Sequence, residues 1–298
     1  MNTPILFLIF KRPDTTQQVF DAIRWAKPKY LYIAANAPRL DIEGEKEKCE
    51  KTRDIIKQID WDCEIKTLFR DEYLSAKESI SSAINWFFEN VEEGIILEDD
   101  CLPSHSFFGY CEELLTKYRD DERIMLISGF NKQNIWNSDK YDYFFSNLGG
   151  LWGWASWKRA WSKYDIKMSR LDFFSENHFF EYLLGNKLGK KRKEQMYSVI
   201  KNNIDTWDYQ WGFSRHINSG MACVPSKNLI KNIGCGVDAT NTKEDLDLDS
   251  LSLHELNFSL KENNIVVADG KYDALFFKQS RKERLINLLL KIRNFILK

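Results

Sequence analysis

The chain has 298 residues, 43% of them hydrophobic, and its 43 basic and 44 acidic side chains nearly cancel. This length and apolar content suffice for a globular domain with a sizeable core, so general disorder is not expected. A net charge of -1 provides no global field that would attract nucleic acid. Any site for a polyanion therefore has to be local.

The cysteines and the hydropathy indicate a reduced, cytoplasmic chain. The six cysteines form no C-x-x-C pair and have no histidine at zinc-ligand spacing: Cys49, Cys63, Cys101, Cys111, Cys223 and Cys235. The apolar run at residues 5–10 continues into Lys11-Arg12-Pro13 rather than a cleavage site, so we interpret it as a first strand. No run of about 18 apolar residues occurs, so no membrane-spanning helix is expected.

Short apolar runs alternate with helical patterns in the first half, which is typical of βαβ units and predicts a doubly wound α/β core. Helices near 15–26 and 76–90 are marked by capping boxes that start at Asp14 and Ser75. The highly charged stretch 43–57 indicates a surface helix without a function. The predicted strands are residues 5–10, 30–35, 64–69, 94–97 and 124–128.

Tryptophans and glycines crowd the chain after about residue 130, and the βαβ rhythm is lost. No linker separates the two halves, so we predict one domain over 1–277 with halves 1–130 and 131–277. The tail 278–298 has seven basic residues against the single acid Glu283, with leucines and isoleucines on one helical face. Such a helix either lies on a membrane surface or partner, or docks on the core.

The acidic triplet Glu98-Asp99-Asp100 follows a buried apolar strand. In open α/β sheets ligands bind at the carboxyl ends of the strands. Three crowded carboxylates cost stability unless a cation neutralises them, and Mn²⁺ or Mg²⁺ takes such oxygen ligands together with substrate phosphates. The alternative is an acidic turn before the next helix, for which Ser104 is the expected N-cap.

Four segments together carry a resemblance to a known family. Residues 95–110, reading IILEDDCLPSHSFFGY, are similar to the nucleotide-binding segment of N-acetylglucosaminyltransferase I and its bacterial nucleotide-diphospho-sugar transferase relatives. The resemblance also includes PILFLIFKRPDTT before this segment and LGGLWGWASWKRAW and TWDYQW after it, in the family's order across most of residues 4–240. The resemblance implies a GT-A, Rossmann-like fold with a mixed, mainly parallel central sheet, to which the pattern of the tail adds a C-terminal amphipathic helix. It makes 1–130 the donor-binding half and 131–277 the acceptor-binding half.

The resemblance also implies roles for single residues. Asp100 matches the metal ligand, with Glu98 and Asp99 in support. A loop at 235–242 resembles a donor-closing lid. At the position matching Asn36 the relatives have an acid that reads the nucleobase. The donor-binding set is Arg12, Asn36, Lys77, Glu98, Asp99 and Thr240.

An inverting transfer needs a general base, for which the tryptophan-flanked Asp208 is our prediction and Asp205 the alternative. The alternative role of Asp208 is structural, as the N-cap of the helix that follows. Trp154 and Trp207 are predicted to bind the acceptor through their flat rings, although most tryptophans of this half are expected in the core.

Together these features predict a metal-dependent, inverting glycosyltransferase of the hexosyl- or N-acetylhexosaminyltransferase type. The expected donor is a UDP-sugar, and the acceptor a glycan or lipid-linked glycan of a bacterial surface polysaccharide such as lipopolysaccharide. The basic tail would add a peripheral membrane contact. Two alternatives stay open: a degenerate sugar-nucleotide-binding scaffold, and a sugar-1-phosphate nucleotidyltransferase, whose glycine-rich loop is missing after the first strand.

Overall fold

The computed structural model describes residues 1–234 and 251–276. An eight-stranded sheet and a two-stranded ribbon contain the strands. In chain order these are β1 (Ile5–Ile9), β2 (Tyr30–Ala35), β3 (Glu64–Phe69), β4 (Glu93–Glu98), β5 (Cys101–Pro103), β6 (Ile124–Ser128), β7 (Tyr143–Ser146), β8 (Trp154–Trp157), β9 (Met221–Pro225) and β10 (Ile230–Asn232).

Helices cover both faces of the large sheet. In chain order they are α1 (Pro13–Ala26), α2 (Glu45–Asp54), α3 (Ala76–Asn90), α4 (His105–Lys117), α5 (Lys158–Trp161), α6 (Leu171–Glu176), α7 (Phe179–Leu184), α8 (Asn186–Lys201), α9 (Asp208–Ile217) and α10 (Gly270–Phe276). A 3₁₀ turn, Ile55–Gln58, continues α2. Within residues 1–234 and 251–276, no helix has both the length and the apolar character needed to cross a membrane.

The strand order in the large sheet is β3-β2-β1-β4-β8-β6-β9-β7. β8 is antiparallel to both its neighbours and β7 is antiparallel to β9, whereas the other six strands run in one direction. The predicted α/β fold with a mixed, mainly parallel sheet is confirmed. β1 and β4 are adjacent and in register, with Leu8 opposite Glu98, so the loops that follow both strands leave the same edge.

Strand alternation divides the core into two layers. Ile95 and Leu97 of β4 pack on one face with helices α1 and α4, whereas Ile96 packs on the other face with α3 and α9. Glu98 follows this alternation and belongs to the side of Ile96. A third, smaller cluster joins α6, α7, α8 and α9.

Most predicted boundaries agree with the structure, but two local predictions were wrong. Helix α1 begins at Pro13, and Asp14 lies in its first turn without acting as a cap, because proline at the first helical position already fixes the start. The helix predicted within 43–57 is not purely a solvated surface element, since Glu45 is 2% exposed and binds Lys11 and Arg39. The Ser75 capping box is confirmed, because its Oγ accepts a hydrogen bond from the Glu78 amide.

Candidate functional site

The adjacency of β1 and β4 places the guanidinium of Arg12 against the acidic triplet. The loop after β1 carries Arg12, whose Nη1 lies 2.6 Å from Asp100 Oδ2 and 3.6 Å from Asp99 Oδ1. The amide of Phe10, from the same loop, donates to Asp99 Oδ2 at 3.1 Å. A backbone amide and a guanidinium of the loop after β1 therefore both contact the aspartates that follow β4.

The triplet holds more negative charge than Arg12 neutralises. Burial raises the pKa of Asp99 to about 7, the charge of Asp100 adds to this, and Arg12 opposes it. The pKa of Glu98 is raised well above its ordinary value, first by burial and then by Asp100, Asp99 and Asp208. A site that disfavours ionised carboxylates in this way gains from a further cation.

Asp208 approaches the same site from α9. Its charge adds to the raised pKa of Glu98, after burial, Asp100 and Asp99, so Asp208 lies within electrostatic reach of the triplet. Asp208 is the first residue of α9 and the N-cap position belongs to Trp207, without a side-chain capping bond. The hydroxyl of Thr206 donates to Asp208 Oδ1 and orients it. A purely capping role for Asp208 is not what the structure shows.

Asp205, the alternative base, has a different position. Its two carboxylate oxygens accept the backbone N–H groups of Ala76 and Lys77, each at 2.8 Å, in the first turn of α3. These N–H groups have no partner within the helix, so Asp205 satisfies them and complements the helix dipole. Of the predicted donor ligand Lys77, only the backbone is engaged by this contact, and its side chain is half-buried.

Asn36 at the end of β2 is largely engaged by the protein itself. Its Nδ2 donates to the carbonyl of Leu74, and its Oδ1 accepts the amides of Leu74 and Ala37. One N–H of the amide group is left for a ligand. The predicted recognition of a nucleobase by Asn36 is thus narrowed to a single donor, and the main role of the side chain is to hold the segment that leads into α3.

Aromatic and basic side chains next to Asn36 were missed by the sequence analysis. Tyr73 is 41% exposed and its ring lies 6.1 Å from that of Phe10, while the guanidinium of Arg39 lies 5.6 Å from the ring of Tyr73. Arg39 is held by Glu45, whose pKa is lowered to about 2, chiefly by this hydrogen bond. A flat ring of a ligand could stack at this edge of the sheet.

The predicted acceptor platform of Trp154 and Trp207 requires correction. Trp154 is 1% and Trp207 5% exposed, and their rings stack on each other at 5.8 Å between centroids. Both belong to the core layer beneath β4 and β8, with Trp161 and Trp211. They are buried because β8 inserts between β4 and β6, so Trp154 lies inside the sheet and packs in its core. The tryptophan pattern of the sequence does not show this strand order.

The segment that follows the β5–β10 ribbon lies against Asp100. Asp100 accepts the amide of Ile233 through its backbone carbonyl at 2.8 Å. At Gly234 a Cβ atom would stand 2.3 Å from Asp100 Oδ2 and 2.9 Å from Arg12 Nη1, so only glycine fits against the ion pair. The predicted lid at 235–242 with Thr240, and the tail 278–298, lie outside the described residues.

The oxygen-rich donor set suits a hard cation, although it is small. Within residues 1–234 and 251–276 no group of three or more His, Cys, Asp or Glu side chains is arranged to hold a metal ion. Mn²⁺ or Mg²⁺ commonly uses one or two carboxylates, and the substrate phosphates complete its coordination. Asp99 and Asp100 are two such carboxylates at one strand end.

The comparisons with known proteins give only distant likenesses. No protein-family model matches the chain, and a search of curated proteins gave no match. Among solved structures, mouse xyloside xylosyltransferase 1 matches with a TM-score of 0.35 and 12% identity over 73% of this chain and 81% of that chain.

Two further solved structures are similar at the same level. A UDP-glucose pyrophosphorylase matches with a TM-score of 0.37 and 8% identity, over 78% of this chain and 93% of that chain. The 4-diphosphocytidyl-2C-methyl-D-erythritol synthase of Anaerococcus prevotii matches with a TM-score of 0.35 and 13% identity, over 58% and 84%. At such identities and TM-scores these likenesses carry no argument about activity.

Proposed function

We propose that the chain is a metal-dependent, inverting glycosyltransferase that moves a sugar from a nucleoside diphosphate to a hydroxyl of a glycan or lipid-linked glycan. The observation that carries the proposal is the approach of Asp208 to the triplet Glu98-Asp99-Asp100 at the carboxyl edge of β4. In this proposal the triplet holds the metal ion at the leaving diphosphate, and the separate carboxylate of Asp208 activates the acceptor hydroxyl.

On the donor side, Asp99 and Asp100 would hold Mn²⁺ or Mg²⁺, which supplies positive charge to the leaving diphosphate when bound. Arg12 already lies on both carboxylates, and its planar guanidinium suits phosphate oxygens. Phe10, Tyr73 and the remaining N–H of Asn36 would place the base of a UDP-sugar beside it. A phosphate contact by Lys77 and a closing role for Thr240 belong to the same proposal.

On the acceptor side, Asp208 would take the proton of the attacking hydroxyl, and a single in-line displacement inverts the anomeric carbon. The hydroxyl of Thr206 fixes the carboxylate orientation. The family resemblance proposes a hexosyl or N-acetylhexosaminyl group as the transferred unit and a bacterial surface polysaccharide, such as lipopolysaccharide, as the product. A peripheral membrane contact through 278–298 would fit a lipid-linked acceptor.

The test is turnover of a sugar-nucleotide panel with and without Mn²⁺. We expect one UDP-sugar to be consumed, and Asp100→Ala to lower kcat/KM by about 10²-fold or more. Asp208→Asn should lower kcat by about 10²- to 10⁴-fold, the range of general-base catalysis, while UDP binding is kept. Asp62→Asn, an exposed carboxylate near the start of β3, is the matched control and should behave as wild type.

Three results would change or replace the proposal. Undiminished activity of Asp100→Ala, or activity in excess chelator, would exclude the metal role. Release of pyrophosphate from a nucleoside triphosphate and a sugar 1-phosphate would identify a nucleotidyltransferase. Thermal stabilisation by UDP without turnover of any donor would point to a sugar-nucleotide-binding scaffold.

A further inference from the structure

Helix α9 carries a second charged group on the face of Asp208. Arg215 follows Asp208 by seven residues, which is two turns, so both lie on one face about 10 Å apart along the axis. Between them, Arg192 of α8 lies against Gly212, where a Cβ atom would stand 2.3 Å from Arg192 Nη2. A carboxylate and two guanidinium groups therefore follow one another along α9.

Arg215 is enclosed without a hydrogen-bonded anion. The residue is 3% exposed, and its Nε and Nη1 atoms are buried with no hydrogen-bond partner in residues 1–234 and 251–276. Burial, and then the charge of Arg192, lower the pKa of Arg215 to about 9. A buried guanidinium in this state is destabilising until an oxyanion completes its hydrogen bonds.

The acids whose charges act on the two arginines have hydrogen-bond partners of their own. Asp273 of α10 is the acid whose charge reaches Arg215, but its oxygens accept the hydroxyl of Ser146 and, at 3.2 Å, the amide of Asn147. The charge of Asp208 reaches Arg192, while Asp208 Oδ1 accepts the Thr206 hydroxyl. The Nε and Nη1 donors of Arg215 are thus not used by these acids, and Arg192 adds a second positive charge beside them.

We propose that Arg215, with the charge of Arg192 beside it, binds an oxyanion of the acceptor, a carboxylate or phosphate group placed about 10 Å from the hydroxyl that reacts at Asp208. The fork of N–H donors in a guanidinium matches two oxygens of either group. The identification of the ligand as acceptor rests on the proposed function. The anion site itself rests on the geometry of α8 and α9.

The oxyanion site can be tested by thermal unfolding with inorganic phosphate as the probe, against chloride at equal ionic strength. Measurements with saturating UDP and Mn²⁺ keep phosphate out of the donor site. We expect phosphate at about ten times its Kd to raise the Tm of the wild type by about 3 °C. In Arg215→Gln this rise should vanish, while the rise caused by UDP remains. Arg123→Gln, which removes an exposed arginine paired with Asp121, is the matched control.

A second variant guards against misfolding of Arg215→Gln. Gly212→Ala replaces glycine by a better helix former and displaces the flexible end of Arg192, so it should fold and lose at least half of the phosphate shift. Glucuronate and glucose as further probes separate a carboxylate site from a phosphate site. A wild type stabilised by neither anion, or an Arg215→Gln variant that keeps the full shift, overturns the oxyanion site.

The proposed function and the oxyanion site can fail separately. A phosphate shift that depends on Arg215 in a protein that turns over no sugar nucleotide keeps the site and removes the glycosyltransferase. Donor turnover that depends on Asp100, in a protein that phosphate and glucuronate do not stabilise, keeps the enzyme and removes the site.

Discussion

The guanidinium of Arg12 lies 2.6 Å from the carboxylate of Asp100, across the loops that follow two adjacent parallel strands. This ion pair closes the edge of the sheet where a sugar nucleotide is proposed to bind. Arg12 neutralises part of a cluster whose members raise the pKa values of one another. A divalent cation would neutralise the remaining carboxylates, and Arg12 would then be able to turn from the carboxylate toward a phosphate of the bound diphosphate.

Stability should fall with pH because of Asp99. Its pKa is raised by burial to about 7, above the unfolded value of about 3.9, so only the folded state holds this proton between those values. The free energy of unfolding then falls as pH rises through this window, by up to ~1.4 kcal/mol per pH unit, and the contribution is lost above pH 7. In the presence of chelator, the stability of Asp99→Asn relative to the wild type should be greater at pH 8 than at pH 5. An equal difference in denaturant midpoints at both pH values would contradict this.

Gly234→Ala should weaken donor binding without unfolding the protein. The added Cβ would stand 2.3 Å from Asp100 Oδ2 and 2.9 Å from Arg12 Nη1, so the ion pair has to separate or the ribbon has to move. We expect a loss of about tenfold or more in UDP affinity by calorimetry, with a small change in Tm. Gly270→Ala, where a Cβ meets nothing within 4 Å, is the control. Equal affinities for the two variants would show that the close contact has no part in binding.

Hydrophobic patterning predicted the sheet of the first half almost residue by residue, because apolar runs such as β4 are local signals. The position of the triplet at the end of β4 was predictable for the same reason. The pairing of Arg12 with Asp100 was not, since it depends on the adjacency of β1 and β4 in the sheet.

The second half was predicted less well because its contacts are long-range. Insertion of β8 between β4 and β6 buries Trp154, and the register that does so is invisible in the tryptophan pattern. Asp205 joins the start of α3 from a loop far along the chain, and no spacing rule connects the two. Tyr73 and Arg215 were missed because an exposed aromatic or a buried cation is recognised only by its surroundings.

Asp205 should prove structural. Its carboxylate accepts two N–H groups at the start of α3, so Asp205→Ala should lower the free energy of unfolding by about 1 kcal/mol, as loss of a helix cap does. The kcat of the folded variant should stay within about threefold of wild type, whereas Asp208→Asn should lose it. Ser75→Ala, which removes the other capping group of the same helix, is the matched variant. A loss of kcat by Asp205→Ala as large as that of Asp208→Asn would make Asp205 the base.

Trp154 should act through packing and leave acceptor affinity unchanged. Trp154→Ala removes a fully buried ring stacked on Trp207 and should cost about 3–5 kcal/mol of unfolding free energy. Trp154→Phe should cost much less, because the indole Nε1 is buried without a hydrogen-bond partner in residues 1–234 and 251–276. The KM for the acceptor should be unaltered in Trp154→Phe, and Trp25→Phe, at a ring 56% exposed, should change neither quantity. A rise of tenfold in acceptor KM with unchanged stability would restore Trp154 as a sugar contact.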